Sequence, residues 1–411
     1  MPEAPPSASL IAGRRHDLDW IRVGAFILLI LYHVGMFYVP WDWHVKTPHP
    51  VEALEPFMLM TNPWRLTLLF LVSGAATRFM ADKVSVGKLT TARISRLLPP
   101  LIFAMVVIVP PQSYYQIVEY IAAHPGTPLT VDNFWIRYVT ASGHWCGTDG
   151  QCLITPTWNH MWFVAYLFVY TMVLAVMLLV WKKAGEHIQK GAEWLLKGVG
   201  LFVWPVLFLG MMRATLYAKF GETHALVDDP YVHAVSFSAF LLGFGLAKSE
   251  LLRDRLTAVR WPALILAVAA WAVWSWMVWT YWRHDGLPQP SPLVGLAGRF
   301  VFAIQGWCAI VAILGFGAKH LSAKGGPALR YLTLGVFPFY LVHQTLIVVM
   351  AHHLAKLGLP QGLEGAILVV GTFAGCFATY EVVRRIPGVR ILFGLKGQPA
   401  EAVAKRPPAF A

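Results

Sequence analysis

The sequence predicts an all-α, polytopic integral membrane protein of about ten transmembrane helices. Of its 411 residues, 57% are hydrophobic and 13% are charged, whereas an ordinary soluble domain has about 45–50% apolar and about 25% charged residues. Ten apolar runs each reach the roughly 20 residues that cross about 30 Å of hydrocarbon. Alternating ten-residue segments of a barrel are absent, and backbone in lipid must satisfy its own hydrogen bonds. The spans are therefore predicted to be helices.

The predicted spans define one transmembrane domain at residues 18–394. It lies between a cytoplasmic tail at residues 1–17 and a cytoplasmic tail at residues 395–411 that has the character of a disordered terminus. The first apolar run is longer than a signal-peptide core and lacks a cleavage site, so we interpret it as a retained span. In chain order the spans lie near residues 18–40, 57–77, 97–118, 157–181, 198–217, 231–247, 261–282, 293–317, 331–353 and 362–383.

The net charge of +12 is explained by membrane topology rather than by nucleic-acid binding. The two tails and alternate loops hold 24 of the 33 Lys and Arg residues, and each of the five opposite loops holds one. Basic loops stay on the cytoplasmic side, so both termini are predicted to be cytoplasmic. This pattern predicts a multi-pass protein of a bacterial inner (plasma) membrane. Its expected partner is the lipid bilayer, and no nucleic-acid partner is expected.

The four cysteines are too few and too scattered for a disulfide scaffold or a zinc ribbon. Cys146 and Cys152 lie in the longest loop between spans, at residues 119–156, which is predicted to be external. In an oxidising compartment they could form a disulfide. Two free thiols are the alternative, and the sequence does not decide between them.

The first span contains IRVGAFILLILYHVGMFYVP, with Arg22 near its start and His33 in its outer half. Ionisable groups inside a span are costly and usually face a cavity or a partner. Eleven positions separate the two residues, close to three helical turns, so both project from one face. Asp19, three residues before Arg22, is placed to pair with it. The alternative is structural: a helix-start aspartate, a snorkelling arginine and a histidine bonded to a neighbouring helix.

Two further histidines are predicted towards the outer side of other spans, His343 at a depth near that of His33 and His160 near the outer surface. His343 lies in FPFYLVHQTL of the ninth predicted span with Tyr340 and Gln344, and His160 enters the fourth span from outside in TPTWNHMWFVAY. Three imidazoles from three helices could therefore meet in one external cavity. Taken singly, each is better explained as a structural histidine.

Arginines mark the opposite side of the membrane. Arg93 and Arg96, in ARISRLLPP, project from one face of a helical turn, and planar guanidinium groups suit bidentate capture of phosphate. A topology signal is the alternative explanation. Arg65 adds a cation inside the second predicted span, and Ser73-Gly74 is interpreted as a small-residue helix contact rather than a nucleophile.

Several of these stretches together resemble the acyltransferase 3 family of ten-helix membrane proteins. The resemblance covers Asp19 to about Gly394, and it rests on DWIRVGAFILLILYHVGM, FLVSGAA, the RxxR of Arg93 and Arg96, HMWFVAY and FYLVHQ. WDWHVKT after the first span and YEVVRRIPGVRILFG near the end resemble the branch that modifies periplasmic glucans. In that branch a second histidine is expected where this chain has Gln344.

The resemblance implies an acyl-CoA-dependent O-acyltransferase that moves an acetyl or succinyl group from the cytoplasm to an external carbohydrate hydroxyl. For this reaction the residues themselves suggest His33 as general base, with Asp19 orienting Arg22 in the catalytic set, and no metal is required. An acyl group carried by His33 itself is the alternative chemistry. The oligomeric state stays open. The remaining expected site residues are Arg93, Arg96 and Arg65 for the acyl-CoA, and His160, Trp162, Tyr340, His343 and Gln344 for the acceptor.

Two other functions compete with this interpretation. A transporter or exporter of an anionic solute could use internal cations and a histidine proton relay, but the sequence shows no convincing internal repeat or broken helix. An electron-transfer protein could hold haem between facing histidines. That function needs paired ligands, and only His33 and His343 have suitable depths.

Overall fold

The computed structural model describes residues 15–148, 150–284 and 286–397. These residues are mostly helical and none lies in a β-strand; one isolated bridge joins Cys146 and Cys152. The all-α prediction is confirmed. Most of the predicted tail at 1–17, and the predicted tail from residue 398 onward, lie outside the described residues. The helices are α1 (His16–Tyr38), α2 (Glu55–Thr61), α3 (Arg65–Ala81), α4 (Val86–Phe103), α5 (Pro110–Ala123), α6 (Phe134–Val139), α7 (Trp162–Val180), α8 (Ala184–Leu195), α9 (Gly200–Met212), α10 (Ala218–Phe220), α11 (Pro230–Leu246), α12 (Glu250–Ala258), α13 (Arg260–Tyr281), α14 (Pro292–His320), α15 (Pro327–Leu354), α16 (Gln361–Val383) and α17 (Val389–Leu392).

Short irregular turns connect several of these helices. Two π-helical turns lie inside long apolar segments, at Ala104–Ile108 between α4 and α5 and at Arg213–Tyr217 between α9 and α10. Three 3₁₀ turns lie at Glu52–Leu54, Asn159–Met161 and Ala355–Leu357. Because π-helical turns are rare and occur often at functional sites, the two of them mark candidate site regions.

Among the described residues, eight helical segments are long and apolar enough to cross a bilayer. The pair α11–α12, bent by 108°, would make a ninth, although α12 is the charged sequence ELLRDRLTA. A multi-pass membrane fold is thus confirmed, with fewer continuous spans than the ten predicted. The eight are His16–Tyr38, Val86–Ala123, Asn159–Val180, Gly200–Phe220, Arg260–Tyr281, Pro292–His320, Pro327–Leu357 and Gln361–Val383.

The predicted span at residues 57–77 accounts for part of this difference. The chain breaks there into α2 and α3, and α3 has 17 residues, about 26 Å of helix. Gln305 of α14 holds the break, because its Nε2 donates to the carbonyl oxygens of Leu59 at 2.8 Å and Met60 at 3.1 Å. The expectation that no helix is broken is wrong at this point. Side-chain amides that satisfy freed carbonyls make such a break tolerable inside a membrane domain.

The chain forms two compact units. The first comprises residues up to Ala25, Pro56–Leu89 and Tyr170–Thr333, and the second comprises Phe26–Glu55, Thr90–Val169 and Leu334 onward. Four long helices, α1, α4, α7 and α15, contribute one end to each unit. The histidines singled out in the sequence all belong to the second unit.

Close helix packing in the first unit depends on glycine. A Cβ built on Gly74 of α3 would lie 1.9 Å from the carbonyl oxygen of Phe240, and one built on Gly243 of α11 would lie 1.8 Å from that of Leu71. The two helices therefore touch backbone to backbone, as small residues allow in membranes. The helix contact predicted at Ser73-Gly74 is present at Gly74.

The second unit includes a folded segment between α5 and α7, in the region of the loop that was predicted to be external. Its core consists of Ile117 from α5 with Phe134, Tyr138 and Trp145 from the segment itself. Cys146 and Cys152 form a disulfide, which resolves the alternatives that the sequence left open. The segment lies about five residues later in the chain than the predicted loop at 119–156, because α5 continues to Ala123 and α7 begins only at Trp162.

Candidate active site

Two histidines on different helices of the second unit, His33 on α1 and His343 on α15, are bonded to each other. His33 Nδ1 and His343 Nε2 lie 2.8 Å apart. The ring planes differ by 13° and the ring centres are 5.0 Å apart, the separation of two imidazoles joined edge to edge by an in-line hydrogen bond. His343 is fully buried, whereas His33 is partly exposed. The pair therefore presents one reachable imidazole supported by one enclosed imidazole.

The hydrogen-bond partners assign the tautomers of this pair. His343 Nδ1 lies 2.7 Å from the carbonyl oxygen of Tyr340, and a carbonyl only accepts, so Nδ1 carries the hydrogen. In neutral His343 the lone pair is then on Nε2, which accepts from His33 Nδ1–H. Neutral His33 in turn carries its lone pair on Nε2. The network thus prepares His33 Nε2 to take a proton.

His160 is held at both ring nitrogens by structural bonds. Its Nε2 lies 3.1 Å from the carbonyl oxygens of Tyr340 and Leu341, and its Nδ1 lies 3.3 Å from Gln112 Nε2. The Tyr340 hydroxyl donates back to the carbonyl of His160. The ring centres of His160 and His343 are 5.1 Å apart. Three imidazoles therefore converge, but His160 and Tyr340 fasten the Asn159–Met161 turn to α15.

A buried amide that the sequence analysis did not single out connects these helices. Gln112 Oε1 accepts from Asn159 Nδ2 at 3.0 Å and from Gln344 Nε2 at 3.1 Å. Its Nε2 donates to Thr345 Oγ1 at 2.7 Å and contacts His160. Both hydrogens and both acceptor sites of the amide are used. A fully satisfied buried network fixes side-chain positions strongly, so Gln112 is the centre of the framework around the histidine pair.

Gln344 extends the network to the loop after α1. Its Nε2 lies 2.9 Å from His44 Nε2, and His44 Nδ1 lies 2.8 Å from Gln116 Oε1. An amide NH₂ only donates, so His44 accepts at Nε2 and donates at Nδ1. Burial lowers the pKa of the His44 imidazole, against the opposing effect of its bond to Gln116. His44 is thereby kept neutral, as both of its bonds require.

The residues next to Gln112 in the sequence indicate that this side chain has a structural role. Gln112 follows Pro110 and Pro111 inside an apolar span, directly after the π-helical turn Ala104–Ile108. Proline lacks the N–H that would satisfy a carbonyl in the preceding turn, and Thr345 Oγ1 instead donates to the Ile108 carbonyl at 2.6 Å. A polar residue next to two prolines in a span marks such an irregular, partnered backbone. His44 lies inside WDWHVKT, where the family resemblance was the only signal.

The remaining predicted site residues of the second unit lie on α7 and α4. Trp162 is buried and its ring packs against Tyr166 at 5.2 Å. Arg93 and Arg96 lie on α4, the first half-buried and the second exposed. Their predicted role with acyl-CoA remains a prediction.

Three predicted residues lie in the first unit. Arg22 Nη2 is 3.4 Å from Asp19 Oδ1, so the pairing expected from the sequence is present as a long contact. Arg65 is buried at the first residue of α3. The sequence analysis missed a shorter ion pair nearby in the chain. Arg15 binds both carboxylate oxygens of Asp17, at 2.8 and 2.6 Å.

Lys46 caps the C-terminal end of α1, the helix that carries His33. Its Nζ donates to the carbonyl oxygens of Met36, at 2.5 Å, and Val39. These carbonyls belong to the last turn, where a helix has unsatisfied acceptors and a negative dipole end. Burial lowers the pKa of the Lys46 amine to about 8, although Asp42 opposes the shift. The amine thus anchors the loop that carries His44.

The geometry does not fit haem between His33 and His343, because their facing nitrogens are bonded directly to each other. In the described ranges, no group of three or more His, Cys, Asp or Glu side chains has the arrangement of a metal site. The arrangement instead resembles a catalytic base oriented by a second group. Such a base suits acyl transfer to a hydroxyl.

Comparison with known proteins agrees with this chemistry. A family model described as an acyltransferase domain, that of the acyltransferase 3 family, matches residues 15–381. Glucans biosynthesis protein C of Escherichia coli O17:K52:H18 (strain UMN026 / ExPEC) is 22% identical over 407 residues, covering 94% of this chain and 95% of that protein. The same protein of Escherichia coli O157:H7 is 23% identical over 407 residues, with the same coverage. No solved structure matches. Because the family match covers most of its length, this chain belongs to the acyltransferase 3 family.

Proposed function

We propose that this membrane acyltransferase moves an acetyl or succinyl group from cytoplasmic acyl-CoA to a hydroxyl of an extracytoplasmic carbohydrate, such as a periplasmic glucan. The observation that carries the proposal is the His33–His343 pair, in which a partly exposed imidazole is oriented by a buried one. The name of the relatives, Glucans biosynthesis protein C, supports a glucan acceptor. The disulfide in the segment between α5 and α7 and the distribution of basic residues support placement in a bacterial inner membrane.

In the proposed reaction, His33 Nε2 removes the proton from the acceptor hydroxyl as its oxygen attacks the thioester carbonyl. The C–S bond then breaks, and the thiolate of CoA takes the proton back from His33. The ester and CoA are the products, and no proton is left over. Positive charge on His33 during attack is stabilised through its Nδ1–H bond to His343. General base catalysis of this kind contributes about 10²–10⁴ in rate.

His343 acts in this scheme as a positioning residue, since its Nε2 fixes the tautomer of His33. We expect His343→Leu to lower kcat by about 10²-fold, equivalent to about 3 kcal/mol of barrier, with the KM for acyl-CoA unchanged. His343→Gln should retain more activity, because its Oε1 can accept from His33 and its Nε2 can donate to the Tyr340 carbonyl. Steady-state kinetics of both variants in proteoliposomes test this. Equal loss in the two variants would show that His343 only fills space.

The donor is proposed to bind through Arg93 and Arg96, whose guanidinium groups suit the phosphates of CoA. We expect Arg93→Ala and Arg96→Ala each to weaken acyl-CoA binding by about tenfold, the effect of losing about 1.4 kcal/mol. Lys88→Ala is the matched control, because Lys88 is an exposed cation on the same helix. Calorimetric titration of the purified protein with acetyl-CoA measures all three. Unchanged affinity in both arginine variants would assign these residues to membrane topology. Contributions of Asp19, Arg22 and Arg65 stay predictions.

The acceptor and acyl group are tested directly in cells. Mass spectrometry of envelope glycans from cells with and without the gene is expected to show one ester mass that only the wild type carries. An acetyl or succinyl increment names the donor, and the modified oligosaccharide names the acceptor. Unchanged glycans, combined with no acyl-CoA hydrolysis by the purified protein, would refute the proposal.

Transport of an anionic solute is a second candidate, favoured by one observation. The break between α2 and α3 places buried Arg65 at the start of a half-helix, an arrangement that transporters use to bind anions. Proteoliposomes separate the two functions: a transporter moves acetate or succinate without forming an ester. An acyltransferase forms the ester and leaves the free anion on its original side.

A further inference from the structure

The short helix α6 of the segment between α5 and α7 has one apolar face that the described protein does not cover. Phe134 and Tyr138 face the core of the segment, whereas Trp135, Ile136 and Val139 are 46%, 67% and 38% exposed. Phe134 and Tyr138 are four residues apart, and so are Trp135 and Val139, which is the spacing of side chains on one face of a helix. An exposed apolar patch of this kind marks a contact with a partner or with a membrane.

The depth of α6 can be obtained from its contacts with α5. Phe134 packs against Tyr114 with ring centres 5.3 Å apart, and Ile117 belongs to the same core. The apolar part of this span begins at Leu97, so at about 1.5 Å per residue Tyr114 lies about 26 Å and Ile117 about 30 Å along it. The hydrocarbon core of a bilayer is about 30 Å thick. The helix α6 therefore lies at the outer edge of the hydrocarbon rather than above it.

We infer that α6 is seated in the outer leaflet of the membrane, with Trp135, Ile136 and Val139 inserted between lipid headgroups. Lipid is favoured over a second copy of the chain because α6 packs on an apolar span that itself exposes Ile102 and Val107. Tryptophan prefers this interfacial level. A standard protein–protein interface also buries about 800 Å² of surface on each partner. Three partly exposed side chains offer less area than that.

This seat is connected to the candidate active site by hydrogen bonds. The Tyr138 hydroxyl donates to the Thr157 carbonyl at 3.0 Å and accepts from the Thr157 N–H at 3.1 Å. Thr157 Oγ1 lies 3.2 Å from Asn159 Oδ1, and Asn159 binds Gln112. Lipid contact at α6 thereby steadies the polar framework around the histidine pair. The inferred position of α6 in the membrane does not depend on the proposed reaction.

The test places a fluorophore on the patch. The variant Ile136→Cys is labelled with an environment-sensitive maleimide dye and reconstituted into vesicles with and without nitroxide-labelled lipid. Cys308 and Cys376 are buried and the other two cysteines are bridged, so unmodified protein controls for background labelling. Val107→Cys, an exposed position on the turn near the middle of the same span, is the comparison for a deeper site.

We expect blue-shifted emission from position 136, with stronger quenching by headgroup-proximal nitroxide than at position 107, which lies about 15 Å along the span and so near the middle of the bilayer. Emission typical of water without quenching would overturn the inference. Blue-shifted emission without quenching would also overturn it, because it would place a protein surface, such as a second copy, over the patch.

Discussion

His33→Ala is expected to abolish acyl transfer while the protein still inserts into the membrane and binds acyl-CoA. The loss should be about 10²–10⁴-fold in kcat, the contribution of a positioned general base. His33 is the only member of the bonded pair that is partly exposed, and the tautomer chain places its lone pair on Nε2. No neighbouring group of the network can replace it, since both nitrogens of His160 are already held by structural bonds.

The measurement is ester formation in proteoliposomes, with acetyl-CoA or succinyl-CoA and a gluco-oligosaccharide acceptor, beside calorimetric titration of the donor. His187→Ala is the matched control, because His187 is an exposed histidine whose Nδ1 bonds the Lys183 carbonyl one turn earlier. The control should keep wild-type activity. Near-normal activity of His33→Ala would remove His33 from the chemistry.

The same variant distinguishes the two proposed routes. If His33 carries the acyl group itself, brief incubation of the wild type with labelled acyl-CoA should leave label on the protein, and the kinetics should be ping-pong. The label should be absent from His33→Ala. Direct transfer leaves the protein unlabelled and requires both substrates to be bound together. A hydrogen bond from His33 Nδ1 to His343 leaves Nε2 as the reacting atom in either route.

Composition and periodicity were sufficient to predict the helical membrane fold, because each span must satisfy its own backbone hydrogen bonds within lipid. They wrongly predicted one continuous helix at residues 57–77. There Pro63 and Trp64 interrupt the apolar run, and the interruption is stabilised by Gln305 from a helix more than two hundred residues away. A run of apolar residues shows that a segment is buried in the membrane; it does not show whether other helices have satisfied a break in it.

The histidines of the site were recognisable because an imidazole in a span is unusual by itself. Their organisation was not recognisable, since the bond between His33 and His343 joins residues 310 positions apart. Gln112, the centre of the framework, was overlooked because a single neutral amide in a span carries no charge to draw attention. Its position after two prolines was the physical signal, as freed carbonyls in a membrane helix need donors from elsewhere.

Gly243→Ala is expected to prevent correct folding of the first unit, a large structural effect for one added methyl group. The added Cβ would lie 1.8 Å from the carbonyl oxygen of Leu71, with the carbonyl carbon at 2.6 Å and the Cα at 2.9 Å. Every one of these atoms is backbone, so no side-chain rotation can relieve the clash. The helices α3 and α11 would have to separate by about 1 Å or more, which also opens the reciprocal contact at Gly74 and leaves voids along a close-packed interface.

The matched control is Gly24→Ala on α1, where a Cβ meets nothing within 4 Å. Alanine in a helix interior is more favourable than glycine by about 0.5–1 kcal/mol, so this variant should be as stable as the wild type or slightly more so. Overpacking ordinarily destabilises by about 1–3 kcal/mol, and a backbone clash that cannot relax should exceed that range. Size-exclusion profiles and thermal unfolding midpoints in detergent measure both variants. A monodisperse Gly243→Ala protein with a wild-type midpoint would mean that α3 and α11 do not cross at these glycines.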